Sequence, residues 1–271
     1  LRIVPPAPGL IGPVRPMIGV VGTRTQTSGT SRLTGIEAYL AAHSTEMRAD
    51  NENGADARVR PFITISRQAW AGGHRLAETL LEVFARQDDV DLFGGWQVFD
   101  RRLCEIVAEN PTHSQSMSSL LAEEYRTRTD EFLRQMLGSS IDQDMLMLHV
   151  FQVVSAVASI GKAIIVGRAG SEVTRDMDHG LDLRLIAPED TRIERVMALY
   201  DLDEKAARLE ARRIDTSRAR LLKSHFRVDI DDPTRYDAVW NTGRVSVDLI
   251  ADSVVAALRH MVSSNRTKSR P

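Results

Sequence analysis

The chain has 271 residues, 42% of them hydrophobic and 27% charged, which is ordinary for a soluble globular protein with one large α/β domain and extra segments. The formal net charge is -2, so no overall basic field favours a nucleic-acid or membrane-surface partner, and we expect neither. Cys104 is the single cysteine; this excludes an intrachain disulfide and a cysteine-built metal site, and it fits a cytoplasmic location.

The N-terminal region differs in composition from the rest of the chain. Prolines are concentrated in residues 1–16, and residues 49–57 are polar, a composition that favours irregular structure. A short helix is compatible with the pattern over 35–47. We predict an irregular arm or linker over residues 1–61, mobile or dependent on a partner, followed by a single domain over residues 62–271.

The domain alternates strand-like and helical segments. Short apolar runs predict strands at 62–65, 98–100, 163–166, 181–186 and 236–240. Apolar residues at helical spacing predict helices at 75–86, 101–109, 120–137, 142–160, 189–200, 203–226 and 246–262. The alternation implies βαβ crossovers and a mostly parallel sheet between two layers of helices. The apolar stretch 145–160 is interrupted by polar residues and is too short to span a membrane.

A glycine-containing segment, residues 66–75, joins the first predicted strand to the first predicted helix. Such a connection directs backbone N–H groups and the positive end of the helix towards one point, which suits a phosphate group. Gly72 and Gly73 permit positive φ angles and the close approach of an anion. Taken alone, a Gly-Gly turn before a helix is more often a plain connection.

Six segments in order resemble motifs of the cytidylate-kinase-like family. They are ITISR at 63–67 with Gly-Gly at 72–73, VFDRRL at 98–103, IIVGR at 164–168, APEDTRIER at 187–195, DTSR at 215–218 and DPTRYDAVWNTG at 232–243. The resemblance extends over about residues 62–257. It implies an α/β fold with a three-layer, P-loop kinase-like parallel sheet and helical nucleotide-binding and lid insertions. It also implies ATP with Mg²⁺ as phosphoryl donor and a nucleotide, typically CMP, as acceptor.

The resemblance also implies which residues form the site. The donor phosphates would be bound by Ser66, Arg67, Ala71, Gly72, Gly73, His74 and Arg75. The acceptor nucleotide would be bound by Asp100, Arg101 and Arg168, and the catalytic cations would be Arg168, Arg213 and Arg218. No side chain is predicted to ligate a metal.

Structural alternatives remain open for these residues. Arg168 also fits a helix cap or an ion pair, and Asp100 a role in ordering a neighbouring arginine. Arg213 and Arg218 lie among acidic residues at helical spacing, which equally fits a solvated face of ion pairs. Arg192 and Arg195 are interpreted as structural partners of acids.

The glycine segment departs from the family pattern. Trp70 stands where the family has glycine, a position at which the bulk of an indole could obstruct the phosphates, and Gly73 stands where a standard P-loop has lysine. Two functions are therefore kept open: a CMP-type nucleotide kinase, and a catalytically degenerate kinase fold that binds a nucleotide or a partner and regulates it. The helices of 120–160 are expected to form the acceptor-side subdomain or a homo-oligomer interface.

Overall fold

The computed structural model of the protein describes residues 39, 43, 60–109 and 141–268. The helix predicted over 120–137 and most of the predicted arm lie outside the described residues. The interface predicted for the helices of 120–160 therefore stays a prediction.

Five strands and eight helices make up the ranges 60–109 and 141–268. The strands are β1 (Phe62–Arg67), β2 (Gln97–Phe99), β3 (Ala163–Val166), β4 (Gly180–Ile186) and β5 (Ala238–Asn241). The helices are α1 (Gly73–Phe84), α2 (Val90–Phe93), α3 (Arg101–Glu109), α4 (Ile141–Ile160), α5 (Gly170–Val173), α6 (Glu189–Tyr200), α7 (Glu204–Phe226) and α8 (Val247–Lys268). A short 3₁₀ turn, Pro233–Arg235, precedes β5. All five predicted strands are present, whereas the one-turn helices α2 and α5 were not predicted.

The strands form one parallel sheet in the order β2-β3-β1-β4-β5, which confirms the predicted fold class. Ile65 of β1 lies opposite Val166 of β3 and Leu183 of β4. From β1 the chain crosses first to the β2–β3 side and later to the β4–β5 side. In such sheets a ligand crevice forms beyond the carboxyl ends of the strands at this change of direction.

The two faces of the sheet are covered differently. Helices α1 and α8 pack on an apolar face that includes Ile63 and Leu183, both almost fully buried. Helices α3 and α4 pack on the other face against Phe99 and Ile165. Because strand side chains alternate between faces, Thr64 and Ser66 of β1 also point to this second side. The second side is therefore apolar near β2 and β3 and polar near the ends of β1 and β4.

Two residues of the predicted arm pack on this second side. Tyr39 is buried, its hydroxyl donates to the Gly161 carbonyl at 2.6 Å, and its ring lies 5.3 Å from the Phe99 ring. His43 is also buried, with Nε2 3.2 Å from the Gly95 carbonyl oxygen. The chain is thus helical and attached to the domain at these two positions. Over the ranges that the structure describes, no helix is both long enough and apolar enough to cross a membrane.

Candidate phosphate-binding site

The connection between β1 and α1, residues 68–72, is called the glycine loop here. It turns sharply because Trp70 and Gly72 both have left-handed backbone, with φ of 57° and 93°. Glycine adopts this conformation freely, whereas a residue with a side chain is disfavoured by about 1–2 kcal/mol. The first amides of α1 have no partner within the helix, and the helix dipole is positive at this end. The loop therefore ends at a point suited to an anion.

A carboxylate on α7 anchors the start of the glycine loop. Asp215 accepts a hydrogen bond from the Ala69 amide at 2.6 Å and another from Arg192 Nη1 at 2.9 Å. Arg192 is buried and also donates to the Ala69 carbonyl at 3.1 Å. Asp215 and Arg192 thus fasten the loop to α7 and α6. The interpretation of Arg192 as a structural partner of an acid agrees with this geometry.

The second half of the glycine loop is held by hydrogen bonds from α6 and from the segment after β5. Arg195 Nη1 donates to the Trp70 carbonyl at 3.3 Å, and Nη2 donates to the Thr242 carbonyl at 2.7 Å. The Thr242 hydroxyl donates to the Ala71 carbonyl at 2.9 Å. Because Arg195 binds carbonyl groups rather than an acid, its structural role differs from the ion pair that the sequence predicted.

The Trp70 side chain has an apolar environment. It lies against an apolar cluster between α6 and α7 that includes Ile193, Val196 and Ala207. It is not among the residues that line the neighbouring pocket. The apolar surface between the two helices accommodates the indole, and the obstruction of the phosphates by Trp70 stays a prediction.

A pocket lies beside the glycine loop at the carboxyl ends of β1 and β3. Three arginines from separate segments line it, and its other walls are mostly backbone, hydroxyl groups and aliphatic side chains. The lining residues are Thr64, Ile65, Ser66, Arg67, Gly167, Arg168, Ala169, Gly170, Ser171, Arg218, Leu221, Leu222 and Ile230. This is the crevice that the strand order predicts.

Arg67, the last residue of β1, has a largely buried side chain that passes close to two glycines. A Cβ atom on Gly73 would lie 3.0 Å from its Cγ, and a Cβ atom on Gly167 would lie 3.0 Å from its Cζ. Burial lowers the pKa of Arg67 well below its ordinary value, and the positive charges of Arg218 and Arg168 lower it further. The guanidinium group is therefore held in a place that disfavours its own charge.

Arg168 follows β3 in an unusual backbone segment. Gly167, Arg168 and Ala169 are consecutive left-handed residues, with φ of 79°, 55° and 55°. Two of the three carry a Cβ atom, and such strained runs are typical of functional sites. Arg168 Nη1 donates to Glu105 at 3.3 Å. Burial lowers the pKa of Arg168, and the nearby positive charge of Arg101 adds to this effect.

Arg218 reaches the pocket from the second half of α7. Its Nη1 donates to the Arg67 carbonyl at 3.0 Å and lies 3.8 Å from Asp215. Burial lowers the pKa of Arg218 to about 10, with Asp215 opposing the shift and Arg168 adding to it. The three arginines crowd positive charge into one pocket. Because an opposite charge favours the ionised form, a phosphate would stabilise all three.

The predicted acceptor residues before α3 have structural contacts. Asp100 caps α3, since its Oδ1 accepts from the Leu103 amide at 2.8 Å. Arg101 is exposed and pairs with Glu105 at 2.9 Å, and Glu105 also pairs with Arg168. Neither Asp100 nor Arg101 lines the pocket. The charges of both residues affect the pKa of Arg168, which does line it.

The remaining predicted residues lie at the edge of the pocket or away from it. His74 and Arg75 are exposed on the first turn of α1, and Ala71 is fully buried beneath the loop. Arg213 is exposed and pairs with Glu210 at 2.6 Å, outside the pocket lining. The structure brings together Arg67, Arg168 and Arg218, and it leaves Arg213 on the solvated face that the sequence also allowed.

Sequence reasoning missed Arg184, a buried arginine within β4. Its Nη1 donates to the Ser66 hydroxyl at 2.9 Å, its Nη2 donates to Asp231 at 2.5 Å, and its Cζ lies 5.5 Å from the centre of the Tyr236 ring. This chain of contacts positions Ser66 at the pocket wall. The available signal was a charged residue alternating with Leu183 and its apolar neighbours in a strand.

A model of the cytidylate kinase-like family matches residues 62–244, more than half of the chain. The chain belongs to the cytidylate kinase-like family. The matched range of this cytidylate kinase-like chain contains the whole sheet, the glycine loop and every residue that lines the arginine pocket.

Known structures support the same fold. The chain is similar to a crystal structure of an uncharacterized protein from Eubacterium ventriosum ATCC 27560, with 20% identity and a TM-score of 0.58. That match covers 74% of this chain and 99% of the other. No curated protein matches the sequence. The family match and the similar structure therefore support a nucleotide kinase-like fold.

Proposed function

We propose that this member of the cytidylate kinase-like family is a phosphotransferase that moves the terminal phosphoryl group of ATP–Mg²⁺ to a CMP-type nucleotide. The observation that carries the proposal is the convergence of Arg67, Arg168 and Arg218 on one pocket beside the glycine loop. Phosphoryl transfer needs positioned cations and amide donors more than it needs a general base. The pocket would supply the cations, and the N-terminal turn of α1 beside Arg67 would supply the amide donors.

The position of each group supports a division of roles. The amides at Gly72, Gly73 and His74, at the positive end of α1, would bind the donor phosphates together with Arg67. Arg168 would bind the acceptor phosphate from the end of β3. Arg218, which contacts the Arg67 carbonyl, would neutralise the phosphoryl group as it passes between them. Planar guanidinium groups suit this task because each presents several donors to phosphate oxygens.

Mg²⁺ fits this scheme as part of the ATP complex. Among the described residues, no group of three or more His, Cys, Asp or Glu residues is arranged to hold a metal. Mg²⁺ commonly keeps several waters and binds substrate phosphates with one or two carboxylates, so a dedicated cage is not required. When bound with ATP, it would neutralise charge on the β- and γ-phosphates. The arginines of the pocket bind and orient the phosphates, and the glycine loop places the donor amides.

A direct assay tests the proposal. The full chain with ATP–Mg²⁺ and a panel of CMP, dCMP, UMP, AMP and GMP should form a nucleoside diphosphate, which chromatography with phosphate labelling detects. Arg168→Ala should reduce the rate with every acceptor. Absence of diphosphate with all five acceptors would contradict the kinase proposal.

A second candidate is a degenerate kinase fold that binds a nucleotide without turnover. It is favoured by the glycine loop itself, in which Gly73 replaces the lysine of a standard P-loop and exposed His74 replaces the Mg²⁺-binding hydroxyl. Calorimetry with ATP–Mg²⁺ separates the two candidates. Saturable binding without diphosphate formation supports the second, and binding with diphosphate formation supports the first.

A further inference from the structure

We propose that Arg67 supplies the donor phosphates with the positive charge that a standard P-loop supplies from its lysine, and that Gly73 and Gly167 leave room for its side chain. The inference rests on the proposed phosphotransfer function and assigns to Arg67 a catalytic role in it. Arg67 and Gly73 stand at the first-glycine and lysine positions of the P-loop pattern, so glycine and the cationic residue have exchanged places.

Gly73 leaves space for the stem of the Arg67 side chain. A Cβ atom at position 73 would lie 3.0 Å from Arg67 Cγ, 3.1 Å from Cδ and 3.4 Å from Nε. The stem of Arg67 thus runs through the space that a side chain at position 73 would need. A lysine at 73 and an arginine at 67 would compete for one channel, and this chain uses it for Arg67.

Gly167 leaves space for the guanidinium end of the Arg67 side chain. A Cβ atom on Gly167 would overlap Arg67 Nη1 and would lie 3.0 Å from Cζ. Gly167 also has left-handed backbone, with φ of 79°. The guanidinium group therefore lies close to Gly167 just beyond β3, at the wall of the pocket that Arg168 and Arg218 share.

The charged neighbours of Arg67 differ from those of Arg168 and Arg218. Arg168 and Arg218 each lie within 4.0 Å of a carboxylate, Glu105 and Asp215 respectively. Arg67 makes no such ion pair with any described residue; burial, Arg218 and Arg168 lower its pKa, and the charges of Asp100 and Asp215 offset this only in part. A largely buried cation without an acid partner is held where an anionic ligand would complete its surroundings. The donor phosphates are the anions that the glycine loop brings closest.

A matched control is available on α1. Arg75 has the same chemistry and lies two residues beyond Gly73, yet it is exposed on the first turn of the helix. It contributes a similar charge near the loop without lining the pocket. Comparing Arg67→Ala with Arg75→Ala therefore separates a specific contact from a general electrostatic effect.

The test measures ATP–Mg²⁺ affinity by calorimetry and kcat/KM by diphosphate formation in the full chain. Arg67→Ala should weaken ATP binding by roughly 10–100-fold, as expected for the loss of a charged hydrogen-bond donor. Arg75→Ala should change it by less than about threefold, because exposed charges are screened. The exchange variant Arg67→Gly/Gly73→Lys should recover most of the lost affinity. Arg67→Gln, which keeps much of the side-chain volume, repeats the test if Arg67→Ala fails to fold.

Steric coupling gives a readout that does not depend on catalysis. Gly73→Ala should lower the urea midpoint of the wild type and lower it less in the Arg67→Ala background, because the clashing stem is then gone.

The failures of the two proposals are distinguishable. A wild type that binds ATP and turns over, with Arg67→Ala unchanged in both, overturns the inference and leaves the phosphotransferase intact. A wild type that does not bind ATP overturns the proposed function and with it the role of Arg67. Equal effects of Gly73→Ala in both backgrounds overturn the steric part of the inference.

Discussion

The exposed half of α7 and the pocket beside the glycine loop are both rich in arginine, but their surroundings are opposite. On the exposed half, Arg213 is largely in solvent and its pKa is raised by hydrogen bonds from its guanidinium to Glu210. Five residues further along the same helix, Arg218 is largely buried and its pKa is lowered to about 10. Both residues are arginines of one helix. Burial is the main cause of the lowered pKa of Arg218, whereas Arg213 is exposed.

The exposed arginines have acidic partners, whereas the arginines of the pocket have positive neighbours. Arg212 pairs with Glu189 at 3.6 Å and Arg213 with Glu210 at 2.6 Å, and exposed pairs of this kind contribute about 0–1 kcal/mol. In the pocket, beyond the effect of burial, the positive charges of Arg218 and Arg168 lower the pKa of Arg67, and the charge of Arg168 also lowers the pKa of Arg218. Because an anion would offset this repulsion, we expect ligand binding to depend on the buried arginines and to be nearly independent of the exposed ones.

The largest expected difference in activity comes from removing one arginine from each region. Arg218→Ala should lower kcat/KM roughly 100–1000-fold, as the loss of a cation at a developing negative charge typically does. Arg213→Ala should change it by less than about twofold. The measurement is diphosphate formation from ATP–Mg²⁺ under matched conditions. Equal losses in the two variants would mean that Arg213 reaches the ligand when nucleotide binds.

The carboxylates of Asp215 and Glu210 should contribute differently to the free energy of unfolding. Asp215→Ala removes the acceptor for the Ala69 amide and for Arg192, so the free energy of unfolding should fall by about 2–3 kcal/mol. Glu210→Ala breaks only the exposed pair with Arg213 and should cost less than about 0.5 kcal/mol. Urea unfolding at neutral pH measures both. A Glu210 variant as destabilised as the Asp215 variant would contradict the division into regions.

The polar layer behind the pocket predicts a pH dependence. Burial raises the pKa of Asp182 to about 6, and Asp237 and Glu172 add to the shift, while the 2.5 Å hydrogen bond from Thr64 opposes it. The folded state then binds a proton more tightly than the unfolded state, so this group's contribution to stability falls as pH rises from about 4 to above 6.

Asp182→Asn should remove that dependence. Since Asp182 is partly exposed, we expect the variant to gain about 1–2 kcal/mol of unfolding free energy at pH 7 relative to wild type, and little at pH 4. Urea unfolding across this pH range is the measurement, with exposed Asp178→Asn as the control. A difference between Asp182→Asn and wild type that does not change with pH would rule out the titration.

The smallest expected effect on the ligand concerns Trp70. Trp70→Gly relieves a left-handed residue but removes an indole from the cluster between α6 and α7. We expect ATP affinity to change by less than about twofold, because the indole does not line the pocket. Calorimetry checks this. A large gain in affinity would mean that the indole does hinder the phosphates and would favour the degenerate-kinase candidate.

Much of the fold could be predicted from local patterns. The apolar run at β3 and the alternation of Leu181, Leu183 and Leu185 in β4 mark strands because buried strands exclude water from whole faces. The one-turn helices α2 and α5 were not predicted, since four residues are too few for a helical period to be visible.

The sequence by itself determined the parallel α/β sheet, the position of the glycine loop and the supply of arginines near it, because these follow from periodicity and from motifs local in the chain. Only the tertiary structure decided which arginines share a pocket. Arg67 meets Gly167, and Arg218 meets the Arg67 carbonyl, through contacts between segments far apart in sequence. Helical spacing predicts which residues are neighbours on one helix. The packing of α7 against the glycine loop decides which side of that helix is buried.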